Sequence, residues 1–257
     1  MQRSAIASIA AAAAAAASIP ALAQHSDITI SVENGRIVTS ADLGAGPVAQ
    51  RVFSADFGAL GVPDFTDEPG FIAAPGTFAF GSRTGFNLTA GLRRFNGSAC
   101  EPVVHERIEA AFLTLSAVIG ANPAPGIDLA VQSDGAWHRH FNFTLFADGG
   151  KLPASGIYVA ELELFSNDGV TAPSAPFWIV FNDERTEAEH DAAIAWVEAN
   201  LAAAPCATDL DGDGQTASTD LAILLGAWGT AAGDLTGDAN TDSADIAALL
   251  SAWGTCG

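Results

Sequence analysis

The chain has 257 residues, 49% of them hydrophobic, with 30 acidic side chains against 10 basic ones and a formal net charge of -20. That hydrophobic share supports a packed core and excludes a wholly disordered chain. The charge argues against nucleic acid and anionic membrane as partners, because both would be repelled, and it suits cation binding.

Residues 1–23 read as an export signal. Arg3 supplies the positive start, Ile6 to Ile19 an alanine-dominated apolar run, and Pro20-Ala-Leu-Ala23 a break with a cleavage pattern. The run is too short for a membrane span, and no later stretch approaches one, so the expectation is a secreted or surface-associated protein with no membrane insertion after signal cleavage. Export would let disulfides persist. Cys206 and Cys256 flank the tail and are expected to clasp it, which leaves Cys100 without a partner.

Residues 24–182 read as β structure. Asp27-Ile-Thr-Ile-Ser-Val, Phe141-Asn-Phe-Thr-Leu-Phe and Ile157 to Phe165 alternate polar and apolar positions, and Phe177-Trp-Ile-Val-Phe is a short apolar strand. Turns are signalled at Asn34-Gly35, Asp134-Gly135, Asp148-Gly149-Gly150 and Asn167-Asp168-Gly169. This spacing predicts an antiparallel β-sandwich. The Gly-, Pro- and Phe-rich stretch from Gly44 to Gly81 gives no clear strand pattern.

Histidines mark one place in this domain. His138 and His140 lie two apart on a strand, so both imidazoles point to one face. His25 and Asp27 alternate in the same way near the expected mature start. If the two strands are neighbours, His25, Asp27, His138 and His140 converge on a zinc-type ion; imidazole with carboxylate also suits copper or nickel. The alternative is four polar residues on a wet sheet face. His105 reads as structural, and His190 as a solvated position on a helix.

A helix over about Arg185 to Ala204, within a connecting segment 183–205, follows. Asp183 or Thr186 would cap it, and Ala193, Ile194, Trp196, Val197 and Leu201 would form its apolar face.

Residues 206–257 contain a repeat. The segment Asp209 to Gly229 returns 25 residues later as Asp234 to Gly254, with 13 of 21 positions identical. Stacked copies would bury the Leu-Leu and Trp side chains of both. Each copy opens on a 12-residue loop with oxygen donors at the positions calcium loops use. In the first these are Asp209, Asp211, Asp213, the Gln215 carbonyl, a water near Ala217, and Asp220, with Gly214 at the turn. In the second they are Asp234, Thr236, Asp238, the Asn240 carbonyl, Asp242 and Asp245. Ala239 stands where glycine is usual, so it must adopt a strained backbone or a different turn.

Two loop-helix units without entering helices, each ending Leu-Leu-x-x-Trp-Gly, resemble a type I dockerin of the planctomycete-like variety. The resemblance implies a small all-α domain that folds around two calcium ions and docks onto a cohesin-like domain of another protein. Within it, Ser218, Thr219, Ser243 and Ala244 occupy the positions that select the partner. In the β domain, His25-Ser-Asp27-Ile with Val-Glu-Asn-Gly, and Trp137-His138-Arg-His140-Phe-Asn-Phe followed by Pro-Ala-Ser-Gly156-Ile-Tyr-Val, are similar to surface-anchored domains of the choice-of-anchor M type. That similarity implies metal handling.

No nucleophile elbow, phosphate loop or Cys–His pair appears, and Glu161 and Glu163 read as solvent-facing strand positions. The expected architecture is therefore mostly β: an antiparallel sandwich, a linker helix, and an all-α dockerin of two calcium repeats. The expected role is docking by a secreted protein that binds metal. The alternatives are a polysaccharide-degradation component, by the dockerin association, and an extracytoplasmic zinc carrier.

Overall fold

The structure is a computed structural model that describes residues 27–42, 44, 46–202, 207–210 and 215–255. The expected signal segment, His25, Cys206, Asp211, Asp213 and Cys256 lie outside the described residues.

In chain order the strands are β1 (Ile28–Glu33), β2 (Arg36–Asp42), β3 (Pro47–Ala49), β4 (Val52–Asp56), β5 (Phe65–Thr66), β6 (Phe71–Ala73), β7 (Arg83–Leu88), β8 (Arg93–Phe95) and β9 (Cys100–Pro102). They continue as β10 (Glu106–Phe112), β11 (Leu115–Ile119), β12 (Ala124–Ala130), β13 (Trp137–Arg139), β14 (Asn142–Ala147), β15 (Gly156–Ser166) and β16 (Phe177–Asp183). Helix α1 (Glu187–Asn200) follows, then β17 (Gln215–Thr216), α2 (Ser218–Gly226), α3 (Ser243–Ser251) and β18 (Gly254–Thr255).

The β domain is built from three sheets: β13-β6-β1-β2-β3, β11-β10-β14-β5 and β12-β7-β15-β16-β4. The alternation read in the sequence sets which side chains enter the core. Ile28 and Ile30 of β1, Phe143 and Leu145 of β14, and Leu162 and Leu164 of β15 are all buried in one apolar cluster shared by the three sheets. Phe71, Phe86 and Trp137 each pack edge-on or tilted against Phe141 at its centre. The β1–β2 turn is a two-residue hairpin in which Asn34 (φ 50) and Gly35 (φ 77) both take the left-handed region, as the Asn-Gly signal requires.

Helix α1 starts where a capping box closes it: the Glu189 amide donates to Thr186 Oγ1 at 3.3 Å, and the Thr186 amide donates to Glu189 Oε2 at 3.0 Å. Of the two residues predicted to cap the helix, Thr186 does so; Asp183 belongs to β16. The helix covers the outer face of the third sheet. Ala193 and Val197 pack on Val52, Ile157, Val159, Trp178 and Val180. His190, expected on a solvated face, is fully buried there, with Nε2 2.9 Å from the Val180 carbonyl. The helix turns it toward β16, on the same side as Ala193 and Val197.

The expected architecture needs two corrections. First, the sheets are not antiparallel throughout: β1 pairs with β6, and β4 with β16, in parallel. In each pair the partners are separated by a long stretch of chain, which is what allows a parallel return. Second, the tail is not the all-α dockerin of two calcium repeats. Its described residues form two nine-residue helices and a two-stranded ladder, β17–β18. After each helix comes a glycine with positive φ, Gly229 or Gly254; Gly254 opens β18, and Gly229 makes a backbone hydrogen bond to Thr241.

The pairing is reciprocal. Thr216 of the first copy faces Gly254 of the second, while the Gly229 amide donates to the Thr241 carbonyl at 2.9 Å. Leu224 and Leu249 are fully buried, but Leu225, Leu250, Trp228 and Trp253 stay half-exposed, so each copy buries one leucine rather than the expected pair with its tryptophan. Among the described residues no helix is long and apolar enough to cross a membrane.

Candidate metal centre

Strand β6 organises the site, although no strand was legible there. It lies between β1 and β13, parallel to the first and antiparallel to the second. The register pairs Ile28 with Phe71, and Arg139 with Phe71 on the other side. One residue further out, Asp27 and His140 flank Gly70, and His138 faces Ile72. Side chains at 27, 70, 72, 138 and 140 therefore share one sheet face. The opposite face carries Phe71 and Trp137, both fully buried, which anchors the three strands in the core.

On this face three donors meet. His138 Nε2 lies 3.2 Å from Asp27 Oδ2 and 3.2 Å from His140 Nε2, and His140 Nε2 lies 3.7 Å from Asp27 Oδ1. A tetrahedral zinc ion with bonds of about 2.0–2.1 Å separates its ligand atoms by about 3.3 Å. The observed edges scatter around that length. Among the described residues this is the one group of three histidine, cysteine or carboxylate side chains whose donor atoms all lie within 4.8 Å of one another. The side chains are a quarter to a half exposed, so the outer side of the site is open to water and to further ligands. The structure brings Asp27, His138 and His140 together across an intervening strand, rather than on neighbouring strands as the sequence reading supposed.

Gly70 makes the closure possible. A Cβ on it would stand 2.5 Å from Asp27 Oδ1 and 2.6 Å from His140 Nε2, inside the volume where the donors converge. Only a residue with no side chain lets carboxylate and imidazole meet across the strand.

The chain matches no family model and no curated protein.

The tail loops are built differently. Asp220 and Asp245, the closing positions, are fully buried. Asp220 accepts the amides of Leu210 (2.6 Å) and Ala217 (2.7 Å). Asp245 accepts the equivalent amides of Leu235 (2.8 Å) and Asp242 (2.7 Å), and that of Thr236. These amides, that of Asp242 foremost, hold the Asp245 carboxyl below its ordinary value, although burial pushes the other way. Burial also opposes the shift at Asp234, yet amides from Ala239, Gly237, Asp238 and Thr236 hold its carboxyl low. Ala239 takes φ 67, the strained backbone that was one of the two outcomes expected for an alanine there. Thr236, Asp238, Asn240 and Asp242 line the same loop, with Asp238 Oδ1 accepting the Asn240 amide at 2.9 Å. In the first loop Asp209 and the Gln215 backbone are described, and Asp211, Asp213 and Gly214 are not.

Glu161, read as solvent-facing, accepts from Thr89 Oγ1 (3.0 Å), Arg93 (3.3 Å) and Trp178 Nε1 (3.2 Å). A cleft of about 510 Å³ beside β8 and β9 holds Arg94 and Arg185, but Arg94 donates to the Ser155 carbonyl at 2.6 Å and Arg185 pairs with Glu189. Burial pushes the Cys100 thiol up to about 11, the opposite of a reactive cysteine. In the described β domain, the large exposed aromatics are Phe80 in a loop and Phe146 on β14.

Proposed function

We propose that this is an exported metal-binding protein whose β domain holds a zinc-type divalent ion between Asp27, His138 and His140. The observation that carries this reading is the convergence of two imidazole nitrogens and a carboxylate from two chain segments more than a hundred residues apart, at edge lengths that fit zinc. Two nitrogens with one oxygen suit zinc, and after it copper or nickel, better than calcium or magnesium. Three protein donors on an open face leave at least one coordination position for water or an exogenous group. The test is zinc titration of the mature chain by calorimetry, with cobalt(II) absorption as a second readout. One equivalent should bind to the wild type, with a loss of at least 100-fold in affinity on His138→Ala. Absence of binding, or a His138→Ala variant that binds as the wild type does, overturns the reading.

The tail supports a second, independent ion. We read it as a calcium-stabilised module, because Asp245 and Asp234 each gather several amides of their own loop and Ala239 takes the left-handed turn that a calcium loop needs. Calcium should raise the tail's resistance to proteolysis; a digestion rate unaffected by chelator would refute this.

A further inference from the structure

The ring of His140 has a second nitrogen, and the chain surrounds it with acceptors. His140 Nδ1 lies 3.1 Å from the Asp67 carbonyl and 3.6 Å from Glu68 Oε1. The Glu68 carboxylate is itself fixed, because its other oxygen accepts the Gly70 amide at 3.1 Å. The Glu68 amide in turn donates to Thr66 Oγ1 at 3.2 Å. The Gly70 carbonyl accepts the Ile28 amide at 2.7 Å, one residue from Asp27. So the segment 67–70 touches His140 on one side and β1 on the other. Among the described residues no comparable partner holds the far nitrogen of His138, which is the more exposed of the two rings.

We infer that the segment Asp67–Gly70 is a positioning device for the metal centre: Asp67 and Glu68 keep the proton on His140 Nδ1, and Gly70 keeps the space into which Nε2 then points. This rests on the metal reading of Asp27, His138 and His140. The physical reason is that a neutral imidazole has one N–H and one lone pair. Two acceptors facing Nδ1 place the N–H there and leave the Nε2 lone pair aimed at Asp27 and His138. A carboxylate near the N–H also makes the opposite nitrogen a stronger donor to a cation. His140 is thereby preset for metal, whereas His138 in the metal-free protein can donate its Nε2–H to Asp27 Oδ2 and must move that proton to Nδ1 before it can ligate.

Glu68 and Gly70 act by different means, so two variants separate them. Glu68→Gln removes the charge but leaves an oxygen for the Gly70 amide. It should weaken zinc binding by about 10- to 100-fold with the stoichiometry still at one. Gly70→Ala leaves every donor in place and fills the gap between them, so it should weaken zinc more than Glu68→Gln does. Circular dichroism and thermal melting confirm that each variant is folded. The readout that a merely structural role would not move is the tautomer. In two-bond hydrogen–nitrogen spectra of the metal-free full chain at pH 8, His140 should carry its proton on Nδ1. Glu68→Gln should shift it toward a mixture.

An Nε2–H tautomer for His140 in the wild type, or Glu68→Gln binding zinc within twofold of the wild type, overturns the inference. If the wild type binds no zinc, the metal reading fails. The tautomer measurement needs no metal and still decides whether this segment sets the proton on His140.

Discussion

Asp183 ends β16 with only 4% of its surface exposed, and its carboxyl is pushed from 3.8 up to about 6. Burial is the main cause, the negative charges of Asp64 and Glu184 add to it, and Arg94 offsets part of it. The folded state therefore holds this proton more tightly than the unfolded chain does. Between about pH 4 and 6 the folded protein binds more protons than the unfolded one, so stability falls as pH rises through that window and stays lower above it. The roughly hundredfold tighter hold on the proton sets a ceiling of about 3 kcal/mol on the cost of ionised Asp183 at pH 7. Asp183→Asn removes the charge at nearly constant volume. It should gain about 1–3 kcal/mol at pH 7, raising the melting temperature by about 2–4 °C per kcal/mol. Near pH 4 the gain should shrink below about 1 kcal/mol. Thermal or urea unfolding of both proteins from pH 4 to 8 measures this. A variant less stable than the wild type at pH 7, or a difference that does not change with pH, would refute the reasoning.

Two further expectations follow from the same kind of accounting. Ala239 holds a left-handed backbone at φ 67, which costs a residue with a Cβ about 1–2 kcal/mol, so Ala239→Gly should tighten calcium binding of the tail about fivefold or more; calorimetric titration showing weaker binding would count against the loop geometry. Glu161→Ala leaves Arg93, Thr89 Oγ1 and Trp178 Nε1 without their shared acceptor and should cost about 2 kcal/mol in urea unfolding, whereas a cost under about 0.5 kcal/mol would mean these three bonds contribute nothing.

The sequence revealed what local patterns control. Alternation in β1, β14 and β15 fixed their inward faces, Asn34-Gly35 specified the hairpin, Thr186 was one of the two caps expected for α1, and the 25-residue repeat located the tail. It did not reveal what depends on distant pairing. β6 is three residues long, too short for any periodicity, and its place between β1 and β13 comes from partners about 40 and 65 residues away. Yet that strand makes the site, so the histidines and Asp27 were legible while the reason they meet was not. Pro69-Gly70 ahead of Phe-Ile-Ala was the available signal: a glycine beside a short apolar run marks a close approach of other groups. His190 was misplaced because its acidic neighbours suggested solvent, while the helical period put it with Ala193 and Val197. The tryptophans were expected inside because the copies were expected to stack, but the copies bury one leucine each and join also through backbone hydrogen bonds, which leaves both tryptophans half-exposed.

The reciprocal ladders of the tail tie distant stretches of chain into a loop of mutual dependence. The segment that braces the first acidic loop is Gly254-Thr255, and the one that braces the second is Gly229-Thr230. Clipping the chain just after Trp253 would therefore loosen the loop at 209–220, some forty residues upstream, and spare the nearer one. An ion settling in either loop would stiffen the ground on which the other is built, so occupancy of the pair should rise together rather than one after the other.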